Sequence, residues 1–358
     1  MGVVERIRGR RSSVVPHEDH GFFGPGSVTW KVWSYPTSLT IGFQRAVVVE
    51  ELDPALVASV YETHAIFDRP RTRYDRTLKY FSLVAFGSSR ETSKAADVLV
   101  KIHSKGIGTC PVTGIRYDAN DPHSQLWIHL TAWHSILYAY ERYGPGRLTA
   151  EEEARYWEEC AVAAELQTCD PADVPRSREG VRAYFEEMKP QLLGSGIARE
   201  SMAQLLDARV MMPPLPLLLR PVSWVSARVL RAGTIATMPR WMRELGGLEQ
   251  SRVVDALVRP VLWLALRLVA MNARVELAVL GVLSPMTVPV VEPVLLGVPP
   301  ERAEVLTPAQ ARERYGYQRP RDAHLDLRAR QHAKVFGEGA APSDEGIVES
   351  EPLLGSIS

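Results

Sequence analysis

The chain has 358 residues, 46% of them hydrophobic and 23% charged, with 42 Lys plus Arg against 42 Asp plus Glu. That is a globular composition with length for one large domain or two smaller ones; zero net charge and no basic stripe with interleaved aromatics argue against nucleic acid as a partner. The three cysteines, Cys110, Cys160 and Cys169, form no CxxC pair, which argues against a disulfide framework or a structural zinc site and suits a reducing, cytoplasmic setting.

The chain opens with a twin arginine, Arg10-Arg11, and Ser12, Ser13, Val14 and Val15. An export signal would continue as an apolar run of about 7–15 residues. Pro16, His17, Glu18, Asp19 and His20 come instead, so residues 1–20 read as a mobile basic leader. Gly24, Pro25 and Gly26 make a turn, and Ser27 can cap the segment after it. Residues 38–51 read as a helix. Asp53-Pro54 restarts one, because Asp accepts free N–H groups and Pro suits the first helical position. That helix is expected to run to about Phe67.

After Arg69-Pro70, residues 71–86 have helical spacing, with Thr77, Tyr80, Phe81 and Val84 on one stripe and Arg73 at its N-terminal end. A guanidinium there snorkels, pairs with a carboxylate or serves a buried cofactor. Residues 91–105 form the next helix, stopped by Gly106 and Gly108. Its His103 comes after Leu99 and Val100 on an apolar face. Such a ring is either a hydrogen-bonded core residue or a ligand for iron or zinc.

Residues 107–120 read as a loop with a small hairpin around Thr113-Gly114. Asp121-Pro122 starts a helix that ends at Gly144, apolar nearly all round and therefore central. It carries Trp127, His129 and Trp133, which line a pocket or pack in the core. Thr149 with Glu152 is a capping box for a helix ending near Thr168. Further helices cover residues 177–193, 216–245 and 250–280, with Pro260 a kink or a boundary, and the segment 194–214 has a helix and then a Pro-rich break at Pro213-Pro214. Residues 282–298 are apolar but rich in proline, hence extended or broken helix. Thr307-Pro308 with Gln310 caps a short last helix. Residues 340–358 read as a disordered acidic tail.

Spanning a bilayer takes about 20 predominantly apolar residues. The run between Glu276 and Glu292 contains Pro285 and Pro289, and residues 253–271 contain Asp255, Arg259 and Arg267. These read as buried helix, with peripheral membrane contact as the other reading. No GxGxxG, phosphate loop, GxSxG or HExxH occurs, so those chemistries lack support. The architecture is all-α: a single multi-helix domain over residues 21–339, with globin-like helix-on-helix packing.

Five segments, in this order, resemble the rubber oxygenase and MpaB-like oxygenase family: PGSVTW at 25–30, RYDRT at 73–77, KIHSKGIG at 101–108, RYDANDP at 116–122, and the LWIHLTAWHSILYAYERYG that starts at Leu126. The resemblance covers roughly residues 20–240. It implies a b-type haem pocket among the helices, with His103 as the axial iron ligand. Arg73 and Thr77 match the family's Arg-x-x-x-Thr and would serve both cofactor binding and catalysis. Trp127 and His129 would line or support the pocket, although His129 also suits a structural role. Three departures stand out: Arg76 where the family has a lysine that can cap the iron, Glu62-Thr63-His64 where Asp-His-Ser is frequent, and Asp53-Pro54 where His-Pro is frequent. The implied activity is a haem b-dependent oxygenase that uses dioxygen to oxidise or cleave a C=C bond in an apolar, isoprenoid-like substrate. The alternative is a non-catalytic haem or lipid carrier of the same fold. Oligomeric state is not set by the sequence.

Overall fold

The computed structural model describes residues 14–212, 217, 220–345 and 347. It is all-α, with seventeen α-helices and one two-stranded hairpin among the described residues. α1 (Val28–Trp33) is capped by Ser27, whose side chain accepts from the Trp30 amide. A π-helical turn (Ser38–Gly42) runs into α2 (Phe43–Glu50). α3 (Pro54–Glu62) starts at Asp53, which accepts from Leu56 N, as its Asp-Pro pair requires. α3 stops five residues short of Phe67, because His64 turns left-handed at φ 49° and a separate turn, α4 (Ala65–Asp68), comes next.

α5 (Pro70–Phe86) and α6 (Ser89–His103) meet at Gly87-Ser88, with Ser88 capping α6. β1 (Ile107–Thr109) and β2 (Arg116–Asp118) pair antiparallel, with Gly108 opposite Tyr117. Their connection needs Gly114, at φ +71°. α7 (Pro122–Tyr143) is the axis of the fold. Asp121 caps it by accepting from His123 N and Ser124 N, and most of its circumference is buried. Around its Trp133 gather Trp33 and Tyr156; around its Trp127 gather Val48, Val49 and Leu52. α7 therefore separates two halves of the core. The π turn crosses it closely at Gly42, where a Cβ would come within 2.9 Å of the Ile136 backbone.

α8 (Ala150–Ala164) carries the complete capping box of Thr149 and Glu152, and ends four residues before Thr168. α9 (Arg178–Met188), α10 (Gly196–Leu205), α11 (Arg220–Thr237) and α12 (Arg240–Gly246) come next. α13 (Arg252–Ala270) continues through Pro260, so that proline is no boundary. Its ring removes the bond to the carbonyl of Ala256, and both residues are exposed, so that acceptor does not have to be buried unpaired. α14 (Ala273–Leu283), α15 (Val288–Leu295), α16 (Pro308–Tyr315) and α17 (Leu325–His332) complete the order. α15 is the broken helix expected of the proline-rich stretch. α16 has the capping box of Thr307 and Gln310.

Part of the expected mobile leader is docked on the fold. Residues 1–13 lie outside the described residues, but 17–20 are docked: Asp19 is fully buried, and the amides of Glu301 and Arg302 donate to His17 O and Glu18 O. At the other end, Ser343 and Gln331 exchange two hydrogen bonds and Lys105 pairs with Asp344, so the tail's start is held too. The rest of the tail, apart from residues through 345 and residue 347, lies outside the described residues. No helix among the described residues is long and apolar enough to cross a membrane.

Candidate active site

The C-terminal ends of α2 and α6 converge on the N-terminal halves of α5 and α7. Each helix delivers one kind of group. α6 ends on His103, a half-buried ring. Gln125 on α7 holds it: its Nε2 lies 3.3 Å from His103 Nδ1 and donates to Ala119 O at 2.7 Å. Burial holds the imidazole down at about 4, with the Arg73 charge adding to the effect and Asp118 opposing it. The ring is therefore neutral near pH 7. Its surroundings are more polar than the Leu99–Val100 spacing suggests, since Gln125, Arg73 and Asp118 all act on it.

α5 presents Arg73 and Thr77. Thr77 Oγ1 donates to the Arg73 carbonyl at 2.9 Å, a bond within the helix that commits its proton. Arg73 Nη1 reaches Thr63 Oγ1 only at 3.5 Å. Its charge acts on two buried carboxylates at the end of α2, Glu50 and Glu51. Burial pushes both up to about 8, against the pull of Arg73 on each and of a Thr131 hydrogen bond on Glu50. Thr131 Oγ1 stands 3.2 Å from Glu50 Oε1, and Trp127 Nε1 donates to Glu50 O at 3.3 Å. Glu51 Oε2 is buried with no hydrogen-bond partner among the described residues.

The structure thus brings Arg73, Thr77 and His103 into one neighbourhood and links Trp127 to it through Glu50. It sets His129 apart. That ring is 1% exposed, donates through Nε2 to Cys160 O on α8 at 2.7 Å, and tilts against Trp133. Burial holds it down at about 4 as well, so it stays neutral. Sequence reasoning missed Glu50 and Glu51. Their signal is a pair of carboxylates closing the apolar run VVV at 47–49, immediately before the Asp53-Pro54 restart.

Residues 30–271, more than half of the chain, match the family model described as ER-bound oxygenase mpaB/B'/Rubber oxygenase, catalytic domain. The chain belongs to this family. It is an oxygenase-type catalytic domain, and so an oxidoreductase. No curated protein and no solved structure gives a significant match. The match to the MpaB/rubber oxygenase domain begins at Trp30 on α1 and ends just past α13, so it includes every residue of the site.

The donor set of this MpaB/rubber oxygenase domain can be compared with the needs of a metal or cofactor. A bare ion requires three or four protein ligands. Among the described residues, no group of three or more His, Cys, Asp or Glu is arranged to hold one. A haem brings four ring nitrogens of its own and asks the protein for an axial side chain. One neutral imidazole near the Arg73 charge is a donor of the right kind, through Nε2 once the ring proton sits on Nδ1; the Gln125 amide nitrogen that now stands against Nδ1 favours the other tautomer.

Proposed function

We propose that this domain is a haem b-dependent oxygenase that acts with dioxygen on an apolar substrate of the isoprenoid class, oxidising or cleaving a carbon–carbon double bond. The observation that carries this reading is the neutral His103, held at Nδ1 by Gln125 and set beside the Arg73 charge. The isoprenoid class rests on the rubber oxygenases named in the family description. Bound at this site, haem would supply the oxygen chemistry, while the chain supplies ligand, orientation and shielding from water.

The roles of the residues derive from their states. His103 would be the residue that holds the haem, with its ring proton on Nδ1. Gln125 would then turn its Oε1 to that proton and release Ala119 O. Glu50 and Glu51, raised to about 8, are mostly protonated at pH 7 and leave the Arg73 charge unneutralised. That charge is available to a carboxylate of the cofactor or to an electron-rich reacting atom. Thr77 fixes Arg73 through the helix backbone. Trp127 braces the Glu50 turn, and His129 braces α7 against α8. Arg76 stands where the resembled family has a lysine; a guanidinium keeps its proton and cannot bind iron.

The test is an absorption spectrum of the purified protein, ferric and then ferrous, beside that of His103→Ala. The reading expects a Soret band in the wild type and its loss in the variant. A protein still colourless after reconstitution, or a variant that keeps its full haem load, would overturn it. Oxygen uptake with an unsaturated isoprenoid then separates the oxygenase from a haem or lipid carrier.

A further inference from the structure

We propose that the face shared by α11, α13 and α14 docks this protein onto an anionic phospholipid bilayer. α13 carries two apolar stripes. Val258, Leu262 and Leu266 are buried, while Leu257, Val261, Leu264 and Leu268 form a second stripe that is open to solvent. Trp263 on α13 is 41% exposed, and Trp224 on α11 is 49% exposed. The open stripe continues onto α14 through Val275 and Val279. Contiguous apolar surface on this scale marks a contact site.

Charge identifies the occupant. Arg267, near the edge of the open stripe, and Arg274 on α14 are exposed, and neither forms an ion pair among the described residues. Arg267 lies over the Trp263 ring at 5.2 Å, and Arg228 over the Trp224 ring at 4.9 Å. Amphipathic rings paired with arginines suit the headgroup layer, where apolar faces sink and guanidinium groups meet phosphates. The carboxylates of α13 and α14 are withdrawn from this role. Asp255 pairs with Arg243 at 2.8 Å, and half-buried Glu276 is pushed by burial up to about 8. A second copy of the same face would set arginines against arginines, whereas anionic headgroups neutralise them. With no membrane-crossing helix among the described residues, the contact is interfacial.

The face is also tied to the candidate site. Past the end of α14, Ser284 Oγ and Met286 N donate to Asp75 at 2.5 and 3.1 Å. Asp75 sits on α5, two residues from Arg73. A lipid-dissolved substrate would therefore meet the protein on elements that lead to the site. The docking itself does not rest on the haem reading.

The experiment is flotation of the full chain with vesicles of phosphatidylcholine alone and of phosphatidylcholine mixed with phosphatidylglycerol. The wild type is expected to float with the mixed vesicles. Leu264→Glu with Leu268→Glu should lower that partitioning by on the order of a hundredfold, the loss of two apolar side chains from the interface. Both positions are exposed, so the thermal melt should stay unchanged and show that the variant folds. Arg267→Ala with Arg274→Ala should remove the preference for anionic vesicles. The proposal is overturned if the wild type floats with neither vesicle, or if the leucine variant floats as well as the wild type. It is equally overturned if light scattering shows a dimer that the leucine variant dissolves while vesicles bind neither protein. Because binding is read on lipid, with or without haem, its failure is distinguishable from failure of the oxygenase reading.

Discussion

Gln125 Nε2 bridges His103 Nδ1 at 3.3 Å and the Ala119 carbonyl at 2.7 Å. With the amide nitrogen fixed by Ala119, it donates to the ring, and the neutral imidazole carries its proton on Nε2. Iron ligation through Nε2 needs the other tautomer. Gln125→Glu, an acceptor for Nδ1–H, should therefore keep haem and shift the ferric–ferrous potential downward. Gln125→Leu should lower haem affinity by about 10–100-fold. Haem titration and redox potentiometry read both effects, and a Gln125→Leu protein with wild-type affinity and potential would show that the amide does not matter.

The buried carboxylates and imidazoles set opposite slopes of stability against pH. His103 and His129 are held down at about 4, below their ordinary 6.5, so their contribution grows as pH rises towards 6.5. Glu50 and Glu51 are raised from 4.5 to about 8, so their contribution is full below 4.5 and is lost as pH rises through 8. Between about pH 6.5 and 8 only the carboxylate slope remains, and the melting temperature should fall. Glu50→Gln with Glu51→Gln should make that limb shallower, leaving the share of Glu276, which burial also raises to about 8. A melting temperature that stays level or rises over this range in the wild type would contradict the assignment.

His129→Phe should cost about 1–3 kcal/mol of stability, since it removes a buried hydrogen bond to Cys160 O while the ring volume is roughly kept. Haem retention should not change beyond what that loss explains. Denaturant unfolding alongside a haem titration separates the two, and selective loss of haem at full stability would move His129 into the site.

Arg73→Lys keeps the charge but gives up the planar fork, so it should retain most of the stability while turnover falls by about tenfold or more. Arg73→Gln removes the cation that opposes burial at Glu50 and Glu51, and should push both carboxyls higher still. Steady-state oxygen uptake and carboxyl infrared bands measure these two effects. Unchanged turnover in Arg73→Lys would confine the residue to a structural role.

Local chemistry made most of the fold readable in advance. Asp53-Pro54, Asp121-Pro122 and the Thr149–Glu152 box each begin a helix because a side-chain oxygen satisfies free amides at a place the sequence alone defines. The end of α3 was not readable. His64 adopts a left-handed conformation that glycine would have announced and histidine does not. Whether Pro260 kinks a helix or ends it was open in the sequence, because exposure decides whether its lost bond matters, and exposure is a tertiary property. Arg73, Thr77 and His103 were found on their helices, but Glu50 and Glu51 were not. An adjacent acidic pair ordinarily belongs in water, and only the packing of α5 and α7 over the end of α2 takes it out.

Asp19 has a practical consequence. Its carboxylate accepts from the Gly21 and Ser89 amides and from the Ser89 hydroxyl, so it clamps the first turn of the helix whose last residue is His103. A shortened protein designed by trimming everything ahead of the PGSVTW segment would cut this clamp. Expression designs that begin before His17 keep it.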